Sequence, residues 1–432
     1  YEVKLTVPQR FVVGATGEEV SSVTNPDGTK TLAYRAEDVH DFAWTADPNF
    51  RVVEDTWAGS TGTVKIRLLM SPGHMKQGSR YLRSLKGTME HFDRWYGPYP
   101  YKQITLVDPP HGAFAAGGME YPTLITAGTT WWMPTGLLFP ELVTEHEFGH
   151  QYWYGMVANN EFEDAWLDEG INSYTEVKIM DALYGPTRSV LDLWGLTAGE
   201  AWVQRFSYRN LPDTDPLVRS AYLYMTGGGY GTVTYAKTAT VLLTLEGLIG
   251  EETLRRAIQT YFIRYRFTHP TEEDFLETIE EVAGQNLRWF FDQAVYGTQV
   301  LDYAVRSIRS DRVDWFEQKP PPAKRGETLY RSTVLLHRKG DFIFPVEVEI
   351  RFDNGEIVRE RWDGRDRWVR YTYEKKARVV SAEIDPDHKV WLDKDLFNNS
   401  RTREPDSAAR RKLDSYWLFL AQCFAQLLAW LT

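Results

Sequence analysis

The residues best suited to chemistry in this chain are His146-Glu147-Phe148-Gly149-His150, an H-E-x-x-H match. On a helix, residues four apart share a face, so both imidazoles reach one ion while Glu147 sits beside it. A zinc ion needs a third protein ligand and an open position for water. Glu169 follows His150 by nineteen positions, in Trp166-Leu167-Asp168-Glu169-Gly170. Placed on the next helix, it closes a His146, His150, Glu169 set. The alternative is a surface helix with two chance histidines, and Glu169 weighs against it. Zinc held this way brings the pKa of its water to roughly 7. Glu147 is then the base that takes the proton and passes it to the leaving amine. The expected outcome is hydrolysis of an amide without a covalent intermediate. Carboxylates behind the ligands orient the imidazoles. Glu176 is a candidate for that role, with an ordinary exposed helix glutamate as the alternative.

Upstream lies Gly117-Gly118-Met119-Glu120-Tyr121-Pro122. Two glycines let a substrate backbone approach closely, and a glutamate there binds a free ammonium group. Alone, the run fits a glycine turn before a strand equally well. Taken together, these segments resemble the gluzincin zinc metallo-aminopeptidases, the alanyl (membrane) aminopeptidase and leukotriene hydrolase family. The family pattern is a G-x-M-E-N strand, then H-E-x-x-H, eighteen residues and E. Gly118-Met119-Glu120, His146-Glu147-His150 and Glu169 match it, and the resemblance covers about residues 81 to 296.

The resemblance implies a thermolysin-like, mostly helical peptidase domain with one Zn2+ per chain and peptide substrates. It implies that Glu120 anchors the substrate α-amino group, with Gly117, Gly118 and Met119 along its backbone. It also implies that Tyr235, in Tyr235-Ala236-Lys237, stabilises the oxyanion. A packed helix-start tyrosine is the alternative, and Tyr222, Tyr224 and Tyr230 lack that context. Tyr121 departs from the family, which has asparagine there. A second amine anchor belongs to the family's N-terminal β-domain and is expected upstream of Tyr1. The large helical domain of many members has no counterpart after Trp391, so a more open cleft that tolerates longer peptides is expected.

The elements around these residues predict an α+β, multidomain chain. Val3, Leu5 and Val7 alternate with polar neighbours, and residues 63 to 70 are another strand-like run. Residues 1–75 therefore read as the end of an N-terminal β-domain. Tyr81, Leu82, Leu85, Met89, Phe92 and Trp95 fall at helical spacing before Gly97-Pro98. Further helical runs are expected at 141–153, 169–183 and 238–249, and Thr271 with Asp274 suggests a capping box. Residues 76–300 are thus the catalytic domain. Gly227-Gly228-Gly229-Tyr230-Gly231 lacks the Lys and Ser/Thr of a phosphate loop and is expected to be a loop near Tyr235. A linker or extended edge is expected at 315–326. Val346, Val348, Ile350 and Phe352 then open a period-two region, read as a β-sandwich over 301–397. Trp131 and Trp132 are candidates for pocket walls, and His111 for the cleft. The remaining histidines outside the motif read as surface or capping residues.

A formal charge of −11 from 49 basic and 60 acidic residues argues against nucleic acid as a partner. The single cysteine, Cys423, excludes an internal disulfide or a Cys-based metal cage. Residues 398–432 read as a basic linker and an apolar helix, with Leu413, Trp417, Leu420, Phe424, Leu427 and Leu431 on one face. That helix suits homo-oligomerisation, docking on its own domain or membrane association. Localisation stays open, with an extracytoplasmic or membrane-associated site favoured. The sequence thus points to a zinc aminopeptidase. A zinc endopeptidase and a non-catalytic scaffold retaining the fold are the alternatives.

Overall fold

The structure is a computed structural model that describes residues 1–110, 112–113, 116–313, 328–405 and 407–431. The expected linker at 315–326 and His111 lie outside the described residues. Two compact units form, Tyr1–Gln299 with Lys389–Leu392, and Val300–His388 with Asp393–Thr432. The chain is multidomain α+β, with sheet-rich ends and a helical middle.

Glu2–Pro8, Thr29–Arg35 and Glu18–Thr24 make an antiparallel three-stranded sheet. A five-stranded sheet carries the site. Its order is Arg51–Gly59, Gly62–Met70, Gln103–Val107, Leu124–Ala127 and Gly118–Met119. The middle three strands are parallel, and Gly118–Met119 runs antiparallel on the edge. Residues on both sides of position 75 therefore share one sheet. The expected strand at 63–70 reads as near-continuous apolar side chains at its end because Leu68, Leu69 and Met70 are covered on both faces.

The helices of this unit are α1 Gly78–Trp95, α2 Phe139–Gly149, α3 Glu161–Tyr184, α4 Glu200–Tyr208 and α5 Gly227–Gly231. They continue as α6 Thr238–Ile249, α7 Glu251–Tyr265, α8 Glu272–Ala283 and α9 Arg288–Ala294. Helix α1 buries Tyr81, Leu85, Met89 and Phe92, the three-and-four spacing of an amphipathic face. Phe92 meets Phe148 of α2 edge-on at 5.7 Å. Arg80 grips Glu141 in the first turn of α2 through Nε at 2.6 Å and Nη2 at 2.7 Å, a bidentate buried pair. Packing and ion pair together fix how α2 turns toward the sheet. The capping box at Thr271 and Asp274 is present, and α6 has the expected bounds.

Three expectations change. Helix α2 ends at Gly149 rather than near Trp153, because the chain reverses at Tyr154, whose φ is 76°. Helix α3 starts at Glu161, not Glu169. Asn160 caps it by accepting from the Phe162 N–H at 3.1 Å, and a kink at Asp164 sets the direction of the rest. The glycine run 227–231 is a short helix rather than a loop. Thr226 Oγ1 accepts from Gly229 N–H at 2.9 Å and offsets glycine's poor propensity.

The second unit holds two antiparallel sheets. One pairs Tyr303–Arg312, Tyr330–Arg338 and Trp368–Lys375; the other runs Ile357–Trp362, Val346–Phe352, Val379–Ile384 and Ser400–Thr402. Val334, Leu336, Val348, Ile350 and Ala382 are fully buried. The last helix, α10, is Ala408–Leu431, and its Leu413, Trp417, Leu418, Phe419, Leu420 and Phe424 are exposed. Among the described residues, no helix is long and apolar enough to cross a membrane.

Candidate metal centre

His146 and His150 sit one helical turn apart, on the last turn of α2 and at its C-cap. Glu169 comes from the middle of α3. Their facing atoms converge: His146 Nε2 lies 3.1 Å from His150 Nε2. Glu169 Oε2 lies 3.3 Å from the first and 3.2 Å from the second. Donors about 2.0–2.1 Å from a tetrahedral zinc ion stand about 3.3 Å apart. The three residues therefore fit such an ion without rearrangement.

The rear of each imidazole is held. His146 Nδ1 donates to Glu176 Oε2 at 2.9 Å, and His150 Nδ1 to Asp168 Oδ1 at 2.5 Å. That leaves each Nε2 free to act as a ligand. Glu176 is buried against His146 rather than exposed on its helix. Asn172 Nδ2 donates to the His146 carbonyl at 2.8 Å and ties α3 to the end of α2. Burial opposes charge on both rings, yet Glu169, Glu176 and Asp168 outweigh it and drive both well above the usual histidine range. Glu169 is held below the carboxylate range against its burial, chiefly by His150 and His146.

Glu147 is buried beside the set, and burial pushes its carboxyl up to about 7, with Glu120 and Glu169 adding and the two histidines opposing. Gly118 is packed against it: a Cβ there would stand 2.6 Å from Glu147 Oε1. Edge strand Gly118–Met119 is locked to α2 by Gln151, whose amide donates to the carbonyls of Glu120 and Tyr121 at 3.0 and 3.2 Å. Gln151 Oε1 in turn accepts from Thr123 N–H at 2.7 Å. Glu120, His150 and Asp168 bring one ligand-type atom each to within 4.8 Å of one another.

Tyr235 lies in the π-helical stretch Thr232–Lys237 that leads into α6, a form frequent at functional sites. Its ring stacks on His146 at 5.6 Å and 18°. Gly170 makes this possible, since a Cβ there would be 2.2 Å from Thr238 Cγ2. Burial, then the Glu169 charge, raise the Tyr235 phenol far above its ordinary value, so it stays protonated and able to donate. Trp131 and Trp132 are exposed and line a groove with Arg80 and Arg83 whose walls do not include His146, His150 or Glu169. His74, expected at the surface, is buried with Nδ1 2.8 Å from Asp108.

Sequence reasoning gave no role to Asp168, Gln151 or Asn172. Asp168 had a signal, its place next to Glu169. Gln151 and Asn172 act across elements, and their spacing carries no trace of it.

Fold and donor set together define the class, a metallopeptidase domain. Residues 81–294 match the Peptidase family M1 domain. It is 22% identical over 352 residues to "Probable aminopeptidase 1" of Sulfurisphaera tokodaii, covering 77% of this chain and 43% of that protein. It is 23% identical over 387 residues to "Leucyl aminopeptidase" of Saccharolobus solfataricus, covering 86% and 45%. The chain thus spans less than half the length of these relatives. Aminopeptidase A of Legionella pneumophila, solved in complex with aspartic acid, shares the fold with a TM-score of 0.67 at 17% identity. That match covers 91% of this chain and 44% of that one.

Proposed function

We propose that this protein is a zinc-dependent aminopeptidase, with a thermolysin-like catalytic region and a C-terminal β-sandwich. The observation that carries this is the convergence of His146, His150 and Glu169 on one point beside Glu147 and Glu120. His146 Nε2, His150 Nε2 and Glu169 Oε2 would hold the zinc ion. When bound, zinc supplies a water acidic enough to be deprotonated near neutral pH. Glu147 takes that proton and later delivers it to the departing amine. Tyr235 donates its hydroxyl proton in a hydrogen bond to the oxygen that gains negative charge. Glu120 accepts from the substrate's α-ammonium group and sets which bond is presented, with Gly117, Gly118 and Met119 along the substrate backbone. The family match and the aminopeptidase names of the relatives support this reading.

Metal analysis of the purified chain is expected to find about one zinc per chain. Chelation is expected to abolish release of N-terminal residues from peptides, and added zinc to restore it. A fully active chain free of zinc would contradict the proposal. Zinc endopeptidase activity is the second reading, and Glu120 argues against it because its carboxylate faces the site as an amine acceptor. Helix α10 exposes a wide apolar surface after Arg410, Arg411 and Lys412. We read it as a self-association or membrane-surface segment separate from hydrolysis.

A further inference from the structure

Behind His146 lies a group of carboxylates that the proposed reaction does not use. Glu200, the first residue of α4, is buried, as are Glu176 and Glu145. Each Glu200 oxygen has a different setting. Oε1 accepts from the Gln204 side-chain amide at 2.8 Å, whereas Oε2 is buried without a partner. Glu176 mirrors this: Oε2 accepts from His146 Nδ1 at 2.9 Å, and Oε1 is buried without a partner. The two side chains lie within hydrogen-bonding reach of each other. Two bare carboxylate oxygens in contact repel, and a shared proton removes the repulsion while satisfying both orphans. Glu176 already accepts from an imidazole N–H through its other oxygen. Glu200 has only an amide, so it keeps the proton. Glu145, also buried beside them, has both carboxylate oxygens without a partner.

We propose that Glu200 is a positioning residue: as a neutral carboxylic acid it donates from Oε2 to Glu176 Oε1 and fixes the carboxylate that orients His146. Burial, followed by the charge of Glu176, pushes the Glu200 carboxyl up to about 9, in keeping with this assignment. The chain of contacts runs from Gln204 through Glu200 and Glu176 to His146, joining α4 and α3 to the end of α2. It rests on the reading that His146, His150 and Glu169 hold zinc.

The test compares E200Q and E200M in the zinc-loaded full chain, reading the half-time of zinc transfer to a chromogenic chelator at pH 7. Glutamine supplies an N–H where the acid supplied O–H, and its half-time is expected within about twofold of wild type. Methionine has similar length and no donor, and it is expected to release zinc about tenfold faster, the low end for partners behind a ligand. E200M releasing zinc at the wild-type rate, or E200Q as fast as E200M, overturns the proposal. A second readout needs only the isosteric variant. The infrared difference spectrum of wild type minus E200Q at pH 7 is expected to show a protonated-carboxyl C=O stretch, and its absence overturns the proposal. A wild-type chain that binds no zinc overturns both this role and the metal reading. Wild type that holds zinc beside an E200M that behaves identically overturns the role of Glu200 alone.

Discussion

Replacing Glu147 by glutamine is expected to lower kcat by about 10²–10⁴-fold, the range for losing a positioned base, while zinc content stays unchanged. The amide keeps the shape of the side chain, so its packing against Gly118 survives. It cannot take a proton, so the loss falls on the transition state, and kcat and kcat/KM drop together. Glu147 is no member of the converging His146, His150, Glu169 set, which is why metal content separates this variant from a ligand mutant. The same group is expected to set the acid limb of the pH profile. Its carboxyl is pushed up to about 7, chiefly by burial, and a carboxyl works as a base only when ionised. A bound dication favours the ionised form, so rate is expected to fall as pH drops through a value at or below about 7. Steady-state kinetics with metal analysis check this. A variant within a few-fold of wild type would place the proton transfer elsewhere.

The second large effect is expected from Tyr235→Phe, a loss of about 10²–10³-fold in kcat with KM little changed. The ring fills the same space and still stacks on His146, so folding and zinc binding persist. On the proposed role, what disappears is one donor aimed where charge develops, and the ground-state carbonyl makes little use of it. A rise in KM with kcat intact would instead make Tyr235 a substrate-binding residue.

The amino-acid sequence carried the centre further than it carried the frame. His146 and His150 were legible because a helical period alone puts them on one face, and Glu169 because one more ligand was needed within reach. Glu176 was legible on chemical grounds, since an imidazole ligand needs an acceptor behind it. The end of α2 was not, because Tyr152 and Trp153 keep the apolar rhythm while the backbone reverses at Tyr154. The start of α3 was hidden by the kink at Asp164. Glycines 227–231 form a helix through the Thr226 cap and packing rather than propensity. Gln151, Asn172 and Glu200 owe their roles to contacts between elements, which no local pattern records.

The central claim, that the centre acts on free N-termini, is tested most directly by the rates on one reporter peptide with its α-amine free and acetylated. On the proposed reading, Glu120 binds the ammonium group that acetylation removes. Removing a charged group from its carboxylate partner is worth about 1.5–3 kcal/mol of hydrogen bonding alone. Cleavage of the free peptide and at least about a tenfold loss on the blocked one is the predicted result. Equal rates on the two would contradict it and make the same zinc machinery that of an endopeptidase.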